Sequence, residues 1–156
     1  DVCSSDLLFL PAGNIHAYLE GVGLEVMAAS DNVLRGGLTS KHIDIPELLN
    51  VLTFEPLPVP YLRPEYASTG IEIYRPDVTD FVLVRIVLGG EPDAPAATYV
   101  PLGPAIAMCT EGSFEITSPT GGVEINRGQS FYITPHEGEL TFRGEGVLFL
   151  AAPGTA

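Results

Sequence analysis

Short apolar runs, broken every few residues by glycine, proline and asparagine, set the rhythm of the chain. A strand hides alternate side chains on one face, so apolar runs of about four to eight residues bounded by turn formers predict strands rather than helices. Three such runs open the chain: residues 7–10, ended by the Pro11-Ala12-Gly13-Asn14 cluster; residues 15–19, ended by Gly21-Val22-Gly23; and residues 24–27, where Glu25 sits between apolar neighbours. Together they predict a β-meander. Residues 30–42 are polar, glycine-containing and irregular, and residues 46–52 predict a short helix with Asp44 or Ile45 near its cap and Pro46 in its first turn. Pro56, Pro58, Pro60 and Pro64 then predict an extended linker. From Ile71 onward strand patterns recur over residues 71–74, 81–88, 105–109, 113–117, 122–125, 130–133, 139–142 and 147–151. That series predicts an all-β jelly-roll or a similar sandwich.

A weak internal repeat points the same way. Leu8-Phe9-Leu10-Pro11 aligns with Tyr132-Ile133-Thr134-Pro135, and Val26-Met27-Ala28-Ala29 with Phe149-Leu150-Ala151-Ala152 after a one-residue gap. The chain thus reads as two related β units, and only the first returns with a histidine, His16, where the second has Leu140. Composition sharpens this picture. At 156 residues and 46% hydrophobic the chain can bury a real core, while 17 glycines and 14 prolines favour many turns over long helices. A formal charge of −13 argues against a nucleic-acid or anionic-membrane surface, because phosphate binding needs clustered cations. Cys3 and Cys109 have no CxxC spacing, so neither a disulfide framework nor a thiolate metal site is expected, and a reducing, cytoplasmic setting fits. The longest apolar run, residues 81–88, contains Arg85 and falls far short of the roughly 20 residues of a membrane span. An apolar run starts at Leu7 with no Met before it, which reads as a chain cut within a domain; residues 1–6 resemble translated adapter sequence and carry little weight.

The run Pro11-Ala12-Gly13-Asn14-Ile15-His16-Ala17-Tyr18 resembles the second motif of the cupin superfamily, in which a Pro/Gly turn delivers a histidine to a metal. Its continuation, Gly23-Leu24-Glu25-Val26-Met27-Ala28-Ala29-Ser30-Asp31-Asn32-Val33-Leu34-Arg35-Gly36-Gly37-Leu38-Thr39-Ser40-Lys41, is similar to the type I phosphomannose isomerases, the zinc-dependent mannose-6-phosphate isomerase family. The resemblance covers residues 7 to about 55 closely and the remainder only in pattern. It implies an all-β cupin/jelly-roll architecture, with residues 1–60 the end of a catalytic cupin and residues 61–156 a C-terminal jelly-roll, a degenerate cupin. It implies that His16 is the last of four zinc ligands, the other three lying upstream of this chain, so that the zinc site is incomplete here. It implies further that Arg35 is the active-site arginine, that Lys41 lines the pocket, and that Glu25 is an acid/base candidate. Ser40 stands where the family has proline. The activity implied is reversible isomerisation of mannose 6-phosphate and fructose 6-phosphate by the intact protein, a monomer whose partner is a small phosphorylated sugar, with this fragment alone inactive.

The residue types suit that chemistry. Aldose–ketose isomerisation moves a proton between adjacent carbons through an enediolate, which a carboxylate can serve as base and a cation can stabilise. Arg35 and Lys41 are two of only seven cations, and Lys41 is the sole lysine; either could hold phosphate by charge-assisted hydrogen bonds. Plainer readings stand beside these. A lone histidine on an alternating strand is more often structural than a ligand, Glu25 would ordinarily face water, and loop cations are usually solvated. Asp31 and Asn32 read as loop-forming residues, and His42 and His136 as surface residues. Two rival functions remain: a non-catalytic jelly-roll that binds a sugar or packs on a partner, and a small cupin using His16 for other metal chemistry.

Overall fold

The computed structural model describes residues 6–29, 33–90 and 95–154; Cys3, Asp31 and Asn32 lie outside them. The chain divides into two compact units, Asp1–Leu62 and Arg63–Ala156.

Among the described residues of the first unit the only regular element is a helix, α1 (Ile45–Val51). It starts where the sequence predicts: Asp44 caps it, its side chain accepting from the Glu47 backbone N–H at 3.1 Å, and Pro46 sits in the first turn, where a missing N–H costs nothing. The three strands expected over residues 7–10, 15–19 and 24–27 do not form. Apolar alternation makes a strand only when a neighbour takes up its backbone groups and a covering layer its side chains. Among the described residues of this unit the sole pairing is the antiparallel bridge between Leu8 and Tyr61, extended by Phe9 N–H to the Pro60 carbonyl at 3.0 Å and Leu62 N–H to the Leu7 carbonyl at 2.9 Å. No described residue of this unit is buried, and Leu19 and Val22 stand fully open to solvent. Of the two repeat copies, only the second is built of strands.

The second unit is all β. Its strands are β1 (Glu65–Ser68), β2 (Ile71–Tyr74), β3 (Val82–Gly89), β4 (Ala97–Tyr99), β5 (Ala105–Ser118), β6 (Gly121–Asn126), β7 (Ser130–Ile133) and β8 (Leu140–Ala152). All pairing is antiparallel, in the order β1-β2-β3-β8-β5-β6, with β4 added on β8 and β7 on β5. The pairs expected over 105–109 with 113–117 and over 139–142 with 147–151 are each one continuous strand. The expected breaks are glycine corners within β5 and β8, and β1 and β4 are strands the pattern did not announce.

Those corners decide the architecture. β7 joins β5 over Ala105–Met108 and β6 joins it beyond Ser113; β3 joins β8 from Glu145 onward and β4 over Leu140–Phe142. One set of side chains from each half is almost wholly buried, among them Val84, Ile86, Ala107 and Leu150 from one and Phe114, Ile125 and Phe142 from the other. All belong to a single core, which requires the sheet to fold over on itself. The fold is made where β5 and β8 cross. Gly112, Gly144 and Gly146 have φ of +72°, +128° and +112°, and a Cβ on them would overlap the backbone carbonyls of Glu145, Ser113 and Glu111. Only glycine allows so close an approach. Beside them β5 carries an extra residue: Cys109 pairs with Leu148 and Glu111 with Val147, so Thr110 bulges out and its hydroxyl donates to the Val147 carbonyl at 3.1 Å. The bulge switches β5's buried positions from Ala105, Ala107 and Cys109 to Phe114 and Ile116. Each fully buried Leu, Ile or Phe contributes about 1.5–3 kcal/mol, so the stable mass of the molecule lies here.

Candidate functional site

The four candidate residues all fall in the first unit, where three short segments are tied together. Gly13, at φ +80° in the turn after Pro11, accepts from the Thr53 N–H at 3.0 Å, just past the end of α1. Beyond the turn, Ile15 lies over Gly36: a Cβ on Gly36 would come within 2.7 Å of Ile15 Cδ1, with Leu48 of α1 next nearest. The turn, the helix and the loop after Arg35 are therefore held against one another, and the flanking residues His16 and Arg35 each follow or precede a member of that contact.

His16 is exposed, and its Nδ1 is 3.2 Å from the Asn14 carbonyl. In the tautomer that makes this bond Nδ1–H donates, which fixes the ring and leaves the Nε2 lone pair free. A metal-binding histidine is usually held in this way. The imidazole meets Tyr18 edge-on, ring centres 6.0 Å apart at 79°, and the Tyr18 hydroxyl donates to Glu25 Oε1 at 3.0 Å. Desolvation first, then the Glu25 hydrogen bond and charge, raise the phenol above its ordinary 10.0. So the structure links His16 and Glu25 through a residue that had no role in the sequence reading. The signal for Tyr18 was its place two positions after His16, on the same side of an extended chain.

Arg35 is half-buried beside Gly36, with no ion pair among the described residues. Lys41 is exposed at the end of the loop Gly36-Gly37-Leu38-Thr39-Ser40, where its backbone N–H bonds the Thr39 hydroxyl at 3.1 Å. Among the described residues Leu38 is the one non-glycine at positive φ, +52°, and its side chain is in water. That strain marks a loop held in a special shape. The structure gives Lys41 no hydrogen bond or ion pair to the other three. Among the described residues no three or more of His, Cys, Asp and Glu are grouped to hold a metal ion, so His16 offers one donor where zinc takes about four. In the second unit a depression of about 700 Å³ opens between β5, β6 and β8, lined by Glu115, Glu124 and Arg143, and none of the four candidates is among its lining residues.

No family profile matches the chain. Single proteins do. The mannose-6-phosphate isomerase of Escherichia coli K12 is 38% identical over 144 residues, 92% of this chain and 36% of the relative. That of Aspergillus fumigatus is 34% identical over 82% of this chain and 31% of its own length. The chain is homologous to the mannose-6-phosphate isomerases. The fold agrees: a mutant phosphomannose isomerase from Salmonella typhimurium superposes with a TM-score of 0.68 at 30% identity, covering 80% of this chain and 32% of that one. A zinc-bound mannose 6-phosphate isomerase superposes at 0.67 and 29% identity, again over 80% of this chain and 31% of that one. The chain thus spans about a third of the length of the curated relatives it matches. The all-β cupin/jelly-roll class expected from the sequence is the class of these structures. Among the described residues no helix is long and apolar enough to cross a membrane.

Proposed function

We propose that residues 7–62 furnish one side of the active site of a mannose-6-phosphate isomerase, interconverting mannose 6-phosphate and fructose 6-phosphate, and that residues 63–156 form its accompanying jelly-roll domain. The observation that carries this is the meeting of the His16 imidazole and the Glu25 carboxylate on either side of Tyr18. Zinc fits His16, whose Nε2 is left free by the Asn14 bond; the remaining ligands come from outside this chain. When bound, the metal supplies electrophilic stabilisation of the sugar oxygens.

The chain's own residues do the rest. Glu25 takes the proton from C2 of open-chain mannose 6-phosphate; the C2–H electron pair becomes the C1–C2 double bond as the C1=O pair moves onto O1, giving the enediolate, and the proton of O2 then passes to O1 while the ketone forms at C2 and the C1–C2 pair takes the proton back from the Glu25 carboxyl at C1. Arg35 faces the negative charge that builds on the oxygens between those two steps. Lys41, at the end of its loop, holds the phosphate, and cytoplasmic sugar phosphate is the substrate pool.

The test is a chimera in which this chain replaces the corresponding segment of the Escherichia coli relative, assayed with mannose 6-phosphate after zinc loading. Turnover that falls to a small residual rate on Glu25→Gln and to background on His16→Ala, with zinc lost only in the second, supports the reading. A soluble, zinc-loaded chimera without isomerase activity overturns it.

A further inference from the structure

We infer that Tyr18 is a positioning residue for the Glu25 carboxylate, an inference that rests on the isomerase reading of Glu25. Glu25 lies on an exposed segment outside any strand, where a glutamate side chain is free to adopt several rotamers. Proton transfer between adjacent carbons tolerates no such freedom, because a misplacement of about 1 Å can cost roughly 100-fold in rate. The Tyr18 hydroxyl supplies the restraint. It donates to Oε1 at 3.0 Å across the Gly21-Val22-Gly23 turn, a charge-assisted bond that fixes the carboxylate plane. One oxygen is thereby occupied and Oε2 is left to accept a proton. The ring is itself set edge-on against His16, 6.0 Å away, and His16 is tied to the Asn14 carbonyl. Glu25 is therefore referenced through one aromatic ring to the imidazole, so that base and histidine keep a common frame.

A plain clasp closing the turn would use the same hydrogen bond, and the test separates the two. Tyr18→Phe removes the hydroxyl and keeps the ring against His16. In the zinc-loaded chimera it is expected to lower kcat about 10- to 100-fold, as loss of an orienting partner does. KM should stay within about twofold and zinc content should not change. In a Glu25→Gln background the same change should cost no more than about twofold, because the group being positioned is gone. On the 156-residue chain itself, the Tyr18 ¹³Cζ resonance at pH 7 should shift on Glu25→Gln, which reads the contact without any activity. Equal losses in both backgrounds, a loss confined to KM, lost zinc, or a Tyr18 resonance indifferent to Glu25→Gln each overturn the inference while leaving the isomerase reading in place. A chimera with no turnover removes the reading, and the inference falls with it; full turnover in Glu25→Gln removes Glu25 as the base and Tyr18's role together.

Discussion

The glycine corner offers the sharpest test of the fold, through a comparison of Gly146→Ala with Gly128→Ala. Both glycines have positive φ, +112° and +83°. At Gly128, in the turn between β6 and β7, a Cβ would meet nothing within 4 Å. Alanine there bears only the left-handed backbone penalty of about 1–2 kcal/mol, partly offset by the stiffer unfolded chain, for a net cost of about 1 kcal/mol. At Gly146 the new methyl would sit on the Glu111 carbonyl, with its carbon at 2.5 Å and Gly112 Cα at 2.9 Å. Those atoms are backbone in a paired strand and cannot swing aside. Relief requires β5 and β8 to part, forfeiting two or so ladder hydrogen bonds at about 1 kcal/mol each on top of the strain, or about 4 kcal/mol in all. In a unit of about 90 residues each kcal/mol moves Tm by roughly 4–8 °C, so the expected losses are about 5 °C for Gly128→Ala and at least 15 °C for Gly146→Ala. Urea unfolding followed by far-ultraviolet circular dichroism, with thermal melts alongside, measures both. Equal destabilisation of the two variants would refute the close approach of β5 and β8 at this point.

Further outcomes are expected elsewhere. Glu137 accepts from Ser118 at 2.6 Å, from Thr120 and from Thr134 at 3.0 Å, and in that order these bonds lower its pKa below the ordinary 4.5; with the folded value depressed, its contribution is present above the ordinary value and is lost as pH falls through the lower one. The stability gap between wild type and Glu137→Gln should therefore close on acidification below about pH 4.5, and a gap constant down to pH 2 would contradict the convergence of the three hydroxyls. In the chimera, Arg35→Ala should lower kcat about 100- to 1000-fold with little change in KM, whereas Lys41→Ala should mainly raise KM, since a phosphate contact exists in ground and transition states alike; steady-state kinetics with zinc content checked reads both. Limited proteolysis of the chain should cleave within residues 7–62 first and leave a resistant piece beginning near Arg63, and early cuts in β5 or β8 would be the contrary result.

What the sequence disclosed followed from how local each cause was. The cap of α1 was legible because Asp44 and Pro46 act within one turn of the helix they start. The jelly-roll strands were legible because two packed layers demand alternation, and Ala105, Ala107 and Cys109 or Leu148 and Leu150 supply it. The same alternation misled at residues 15–19 and 24–27, where a strand depends on a partner that no local pattern reveals. Gly112 and Gly146 looked like ends of strands, yet they are the points at which long strands cross; a turn and a close approach demand the same residue for different reasons. At the site, His16, Glu25, Arg35 and Lys41 came from the quoted run and its family resemblance, and their mutual geometry did not. That Tyr18 bridges His16 and Glu25 depends on a seven-residue excursion of the chain through two glycines, which residue types alone do not specify.

The place of β8 has a consequence for the order of events in folding. This last strand pairs with β3 along eight residues, with β4 along three and with β5 along eleven, so it is the spine on which the rest is hung. Its partners begin some sixty residues earlier, at Val82. Contacts so distant in sequence are slow to form, because loop closure must precede any gain from pairing. Until Leu140–Ala152 arrives, β3 and β5 hold open edges and no closed core. Both halves of the sandwich also run through the same two strands, so neither can melt alone. The unit should pass between folded and unfolded in one step, and a growing chain should remain aggregation-prone until β8 is made.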